Sequence, residues 1–244
     1  MNPYLLTCYQ SPFPKIRVGK EFDGGYIIAD TPDTNGSVLL AAGICDDISF
    51  EENFVTRYAN TYCYAFDGTI QQLPPSSIPI TDPDISTQNK ILFINKNIGP
   101  TNTETTTNLH ELIDANEHLF LKMDIEGDEI PWLKTLNIEQ LNKFNQIVME
   151  FHTPFSNEEI DVFNKLNQTH YLVHFHGNNC CGVRNHRGVN IPNVFECTYL
   201  NKKYFNGAIP PFNTEAIPSP IDMQNKESVP DIMIDYPPFV YSHP

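Results

Sequence analysis

Basic residues are scarce in this chain: Lys and Arg total 15 against 30 Asp and Glu in 244 residues, a formal net charge of −15. Such an exterior repels phosphate backbones and anionic membrane surfaces, so nucleic acid is not expected as a partner. Long apolar runs are missing too. None reaches the roughly 18 residues of a membrane span, and the opening MNPYLLTCYQSPFPK lacks a basic segment followed by an apolar one. No membrane insertion and a cytoplasmic location are therefore expected. The six cysteines (Cys8, Cys45, Cys63, Cys180, Cys181 and Cys197) form no CxxC pair and are too sparse for a disulfide framework. Reduced thiols are the expectation. Cys180, Cys181 and Cys197 lie near His174, His176 and His186, but adjacent cysteines lack the usual spacing of zinc ligands. The fingerprint GxGxxG is also absent, which argues against a cofactor held through a pyrophosphate.

What the chain does have is a series of apolar runs with helical or loop material between them, the pattern of βαβ units and a mainly parallel sheet. The predicted strands are 38–42, 61–66, 91–95, 119–123, 146–151, 171–176 and 193–200, seven for one sheet. Amphipathic stretches over 50–58, 107–116, 129–136 and 157–167 predict helices, the last with Ser156 as its N-cap. The final two strands are separated only by GNNCCGVRNHRG, so they are expected as an antiparallel hairpin at the sheet end. Four prolines in 69–90 predict a loop over a sheet edge. The eight prolines after Asn206 accompany Ile232, Ile234, Tyr236, Phe239 and Tyr241, which predicts an extended tail packed on the domain.

Chemistry is expected at the strand ends. Gly43 opens the turn after the first strand, where backbone approaches a ligand closely. Asp67 ends the second strand about 24 residues later, where doubly wound folds place an acid on ribose hydroxyls. Together they predict a nucleoside-containing ligand. Asp124 and Glu126 follow the strand in LFLKMDIEGDEIPWL, and Glu150 and His152 end the next, so four ionisable groups converge on one crevice. A histidine beside a carboxylate suits a general base for a hydroxyl. The same carboxylates could instead hold Mg²⁺. His174 and His176 share one side of the sixth strand, with Asn178 and Asn179 after it, and could orient a polar substrate. Asp23, Gly24, Gly25 and Tyr26 read as a hairpin turn.

The segments RVGKEFDGGYIIAD, LLAAGICDDISFEENF, YAFDGTI, LFLKMDIEGDEIPWL, QIVMEFH and HFHGNN resemble, in order and spacing, the FkbM-type S-adenosylmethionine-dependent methyltransferases over about residues 15–200. KMDIEGDE and GICDDISFE are the most specific parts. The resemblance implies the α/β class I methyltransferase (Rossmann-like) fold: seven strands, mainly parallel, helices on both faces and a terminal antiparallel hairpin. Residues 1–205 would be that domain with its N-terminal hairpin, and 206–244 a Pro-rich extension on it. Methyl transfer to a hydroxyl is implied, with S-adenosylmethionine as cofactor and a carbohydrate (a nucleotide-activated sugar or surface glycan) as acceptor. A lipid or secondary metabolite is the alternative, and a non-catalytic binding protein on the same fold is a third reading. On this resemblance Gly43, Asp47, Glu51, Asp67 and Asp124 contact the cofactor, and Asp23, Tyr26, His176, Asn178 and Asn179 the small-molecule or glycan acceptor. His152 is the expected base, with Glu150 as its orienter and Asp124 between cofactor and substrate. No metal ligand is assigned; if a metal is present, Asp124 and Glu150 are the residues expected to hold it. Glu126 and Glu129 are expected to support the turn and the helix start.

Overall fold

The seven apolar runs predicted as strands are the seven strands of one sheet in the computed structural model, which describes residues 2–76, 87–154 and 160–242. In chain order its strands are β3 (Val38–Ala42), β4 (Tyr62–Phe66), β5 (Ile91–Ile94), β8 (Leu119–Met123), β9 (Phe144–His152), β10 (His170–Gly177) and β13 (Val194–Asn201). They lie in the order β10-β13-β9-β8-β3-β4-β5, all parallel except β13, which runs antiparallel to both neighbours. This is the class I methyltransferase arrangement. The expected terminal pair is indeed antiparallel, but β13 inserts between β9 and β10, so the last strand is internal and β10 forms the edge. Its connection carries a small hairpin, β11 (Val183–His186) and β12 (Val189–Pro192), turned by Arg187 and Gly188 at positive φ.

Alternation along the strands sorts side chains onto two faces. Leu40, Ala42, Leu121 and Met123 join Trp132, Phe163 and Leu166 in one core. Leu39, Ala41 and Phe120 join Phe50, Phe54 and Ile28 in the other. The first face is covered by α2 (His110–Asp114), α3 (Glu129–Thr135), α4 (Ile138–Asn142) and α5 (Ile160–Thr169). The second is covered by α1 (Ser49–Arg57) and an N-terminal hairpin, β1 (Lys15–Val18) with β2 (Tyr26–Ala29). Strands β8 and β13 are buried along their whole length, as expected where both faces are covered.

Locally, the structure departs from expectation in two places. The helix predicted over 107–116 starts only at His110, because Leu109 sits at φ 63° and Thr106–Thr107 (β7) pairs with Asn97–Ile98 (β6). Helix α4 was not predicted, although Asn137 and Gln140 form a reciprocal capping box at its start. The Ser156 N-cap and much of the predicted 69–90 loop lie outside the described residues.

The proline-rich tail packs along the first face. Ile217, Ile234, Phe239 and Val240 are buried in the larger core, and the Phe239 ring lies 4.3 Å from that of Phe175. Among the described residues no helix is long and apolar enough to cross a membrane.

The chain leaves β3 in one direction toward β4 and β5 and returns to β8 and β9 on the other side. The ends of β3 and β8 therefore flank the switch point where open α/β sheets bind ligands.

Candidate functional site

Ala42 and Met123 are paired in register at that switch point, and the residues after them meet directly. Gly43 has φ 75°, and a Cβ there would lie 1.5 Å from the carbonyl oxygen of Asp124. Glycine is thus required by the neighbouring strand's backbone, a closer constraint than the ligand approach predicted for it. Cys45 and Glu126 also have positive φ, 45° and 58°. Backbone strain of this kind in side-chain-bearing residues costs about 1–3 kcal/mol each and clusters where ligands bind.

Two cavities open along this edge. The first, about 600 Å³, lies between the ends of β3 and β4, the Ile98–Thr101 segment and the turn after β8. Gly43, Cys45, Phe66, Asp67 and Ile98 line it, a mix of backbone, apolar wall and one buried acid. Asp67 accepts hydrogen bonds from the Cys45 N–H at 2.8 Å, the Thr69 N–H at 2.7 Å and the Thr69 hydroxyl at 2.5 Å. A carboxylate has about four acceptor sites, so about one remains for a hydroxyl in the cavity.

Asp47 and Glu51 do not line this cavity, which corrects their assignment to cofactor contacts. Asp47 accepts from the Ser49 N–H and hydroxyl at the start of α1 and pairs with Lys20 at 3.3 Å, tying down the 19–25 loop. Glu51 is 1% exposed inside the second core. Burial pushes its carboxyl up against the opposing pull of Lys122. The Lys122 ammonium, also buried, donates to the Gly43 carbonyl at 2.9 Å and lies over the Tyr26 ring. Lys122 lies within the predicted strand and opens KMDIEGDE, but the sequence alone assigns its side chain no role.

The second cavity, about 420 Å³, shares Asp124 and Glu126 with the first and adds Asp23, Glu150, His152 and Asn178. The Tyr26 hydroxyl donates to Asp124 Oδ2 at 2.9 Å, whereas Asp124 Oδ1 is buried with no hydrogen-bond partner among the described residues. Tyr26 is buried behind Asp124, so it positions that carboxylate and does not line the second cavity. His152 Nδ1 lies 3.0 Å from Glu129 Oε1; its Nε2 lies 3.3 Å from Glu126 and 3.8 Å from Asp124. The orienter of His152 is therefore Glu129, in correction of Glu150. Glu129 is 1% exposed and also accepts from the Ile125 and Gly127 N–H groups, so one carboxylate fixes both the turn and the imidazole. Because Glu129 only accepts when ionised, Nδ1 carries the hydrogen and Nε2 faces the cavity.

Burial works to lower the His152 pKa, but the hydrogen bond to Glu129 and the charges of Glu129, Asp124 and Glu126 outweigh it and hold the ring above its usual range. Glu150 is 2% exposed and accepts from the Asn178 amide at 2.8 Å. Burial, with Asp124 and Glu196 nearby, raises its carboxyl well above the ordinary value.

Asp23 and Asn178 line the second cavity, whereas His176 and Asn179 do not. His176 is fully buried between Glu196 at 3.3 Å and Asp231 at 3.1 Å. Asn179 donates to the carbonyls of Lys226 and Val229. Both anchor the tail. In return the tail supplies Asn225 and Lys226 to the second cavity, which no local signal in the sequence announces. The cysteines and histidines weighed for zinc are not brought together: among the described residues one group of three metal-capable side chains converges, Asp124, Glu150 and His152.

No family model and no curated protein matches the chain. Solved structures similar to it include fibrillarin in the fibrillarin/Nop5p complex, with 10% identity over 68% of this chain and 73% of that one and a TM-score of 0.38. The Methanococcus jannaschii fibrillarin pre-rRNA processing protein has 10% identity over 70% and 69%, TM-score 0.37. The 16S rRNA (adenine(1408)-N(1))-methyltransferase of Catenulisporales acidiphilia has 9% identity over 69% and 90%, TM-score 0.35. Two of these names specify ribosomal RNA, which overturns the exclusion of nucleic acid drawn from net charge. A charge summed over a whole chain does not decide what one crevice takes up.

Proposed function

We propose that this chain is an S-adenosylmethionine-dependent O-methyltransferase of the FkbM type, with the donor in the first cavity and a carbohydrate hydroxyl in the second. The observation that carries this reading is the meeting of the two cavities at Asp124, beside an imidazole whose Nε2 faces the acceptor side.

The residues of the first cavity suit the cofactor. Its volume falls within the roughly 300–1,000 Å³ of small-molecule sites. Phe66, Ile98 and Ile125 offer apolar surface for a base, and Asp67 offers an acceptor for a ribose hydroxyl. When bound, the cofactor supplies a methyl group on a sulfonium, already an activated leaving group. The protein's tasks are then alignment of donor and acceptor and removal of the acceptor proton. His152 Nε2 takes that proton, and Glu129, Asp124 and Glu126 stabilise the resulting imidazolium. General-base assistance of this kind is worth roughly 10²–10⁴-fold.

The second cavity favours a carbohydrate over a lipid because carboxylates and amides dominate its lining: Asp23, Asp124, Glu126, Glu150, Asn178 and Asn225. Such side chains offer hydroxyls hydrogen-bond partners on several sides. Calorimetry with S-adenosylmethionine, followed by release of S-adenosylhomocysteine across a panel of sugars, nucleotide sugars and glycans, tests the reading. Saturable cofactor binding and turnover with at least one sugar are expected. No binding at millimolar cofactor would overturn it.

A further inference from the structure

Asp124, Glu150 and His152 each bring a ligating atom to one region of the second cavity, and each is also held by a neighbouring side chain. Asp124 Oδ2 accepts from Tyr26 while Oδ1 has no hydrogen-bond partner among the described residues. Glu150 Oε1 accepts from Asn178. His152 Nδ1 is held by Glu129, and Nε2 faces the cavity, 3.3 Å from the exposed Glu126 carboxylate. The ligand atoms of the three residues lie within 4.8 Å of one another. Ligands about 2.1 Å from a shared ion stand at most roughly 4 Å apart, so only slight tightening would bring all three onto one cation. An imidazole oriented by a buried carboxylate through its far nitrogen is the usual support of a metal-binding histidine.

The geometry points to a divalent-cation site at Asp124, Glu150 and His152, suited to a first-row transition ion such as Mn²⁺. One imidazole beside two carboxylates favours that class over Mg²⁺ and Ca²⁺, which prefer oxygen donors alone. The wall offers three protein ligands and opens on the second cavity, so the remaining positions would fall to water or to an acceptor hydroxyl. This rests on the methyl-transfer reading only for its consequence: with His152 Nε2 occupied, a coordinated hydroxyl is acidified by the cation. With the ion bound, Glu126 therefore replaces His152 as proton acceptor: the O–H bond breaks toward its carboxylate, whose side chain is 85% exposed and passes the proton to water. The new O–CH₃ bond forms as the donor's S–CH₃ bond breaks, with no oxidant or reductant needed.

The test titrates Mn²⁺ into the full-length, EDTA-treated and desalted protein and follows free Mn²⁺ by electron paramagnetic resonance, without cofactor or acceptor. One Mn²⁺ per chain is expected. Glu129→Gln, which removes an outer partner, should weaken binding about 10- to 100-fold, and Glu150→Gln and His152→Ala by more than that. Glu139→Gln on the exposed face of α4 should leave it unchanged. Glutamine is isosteric with glutamate at position 150, and far-UV circular dichroism confirms that each variant is folded. Absence of saturable binding to the wild-type protein, or binding that survives both Glu150→Gln and His152→Ala, overturns the site. Methyl transfer by protein that binds no Mn²⁺ removes the metal and leaves the transfer reading standing. Mn²⁺ binding without S-adenosylmethionine binding does the reverse.

Discussion

Two groups of histidines and carboxylates stand on neighbouring parts of this sheet, and they end differently. At β9, His152 meets Glu129, Asp124 and Glu126, with one Asp124 oxygen left without a hydrogen-bond partner beside a cavity. At β10, His176 is closed between Glu196 and Asp231, and His174 pairs with Asp222 at 2.8 Å. The residue types are the same. The tail makes the difference, because it brings Asp222 and Asp231 over β10 and satisfies those imidazoles. Nothing comparable covers His152 among the described residues. A complete cluster holds structure together; the open one keeps an oxygen without a hydrogen-bond partner and turns a nitrogen to the cavity, paired only with the exposed Glu126 and the more distant Asp124.

The sharpest way to break this comparison is to remove each histidine and measure both activity and stability. His152→Ala should lower kcat with the best acceptor by roughly 10²–10⁴-fold while cofactor affinity stays within a few-fold, read by calorimetry and steady-state kinetics. Full activity in this variant would strip the open cluster of its proposed role. His176→Ala should do the opposite. It strands two carboxylates beneath the tail, and breaking a buried pair in this way costs about 3–5 kcal/mol, measured by urea unfolding. A kcat loss without a stability loss would mean that the two clusters had been assigned the wrong way round.

The closed cluster also predicts a pH signature. His176 is raised to about 10: burial opposes the charged form, but the hydrogen bonds to Asp231 and Glu196 prevail. A histidine raised above its unfolded value near 6.5 contributes stability fully below that pH and loses it as pH rises through the folded value. The melting temperature of the wild type should therefore fall toward pH 10 more steeply than that of His176→Asn. His170 supplies the contrast on the same strand. Burial lowers it to about 4, so its contribution is present above about pH 6.5 and lost as pH falls toward 4. His170→Asn should flatten the acid limb and leave the alkaline one unchanged.

How much of this was legible follows from how local each feature is. The seven strands were readable because burial on both faces writes continuous apolar runs, such as VLLAA and LFLKM. Asp67, Asp124, Glu150 and His152 were readable because a strand end is a sequence position. The orienter of His152 was misread because Glu129 lies in the next helix and reaches back across a turn. Glu150 is nearer to His152 in sequence but points to Asn178. His176 and Asn179 looked like substrate contacts for a similar reason. Their true partners, Asp231 and the carbonyls of Lys226 and Val229, are about 50 residues away in a tail with no periodic pattern. Spacing identifies which residues reach an edge, but not what arrives later to cover them.

If cover decides the outcome, an exposed charged pair should matter least, and Lys20 with Asp47 provides that reference. The Lys20 side chain is 48% exposed, so its 3.3 Å contact with Asp47 is screened by water and opposed by side-chain entropy. Lys20→Ala should cost no more than about 1 kcal/mol in urea unfolding. It should also leave S-adenosylmethionine affinity unchanged, since Asp47 holds the 19–25 loop against the start of α1 and does not face the first cavity. A marked loss of cofactor binding would restore Asp47 as a cofactor contact and show that this loop shapes the donor side. An unchanged affinity would confine the chemistry to the edge where β3, β4, β8 and β9 end, with the N-terminal loop contributing only Asp23 to the acceptor cavity.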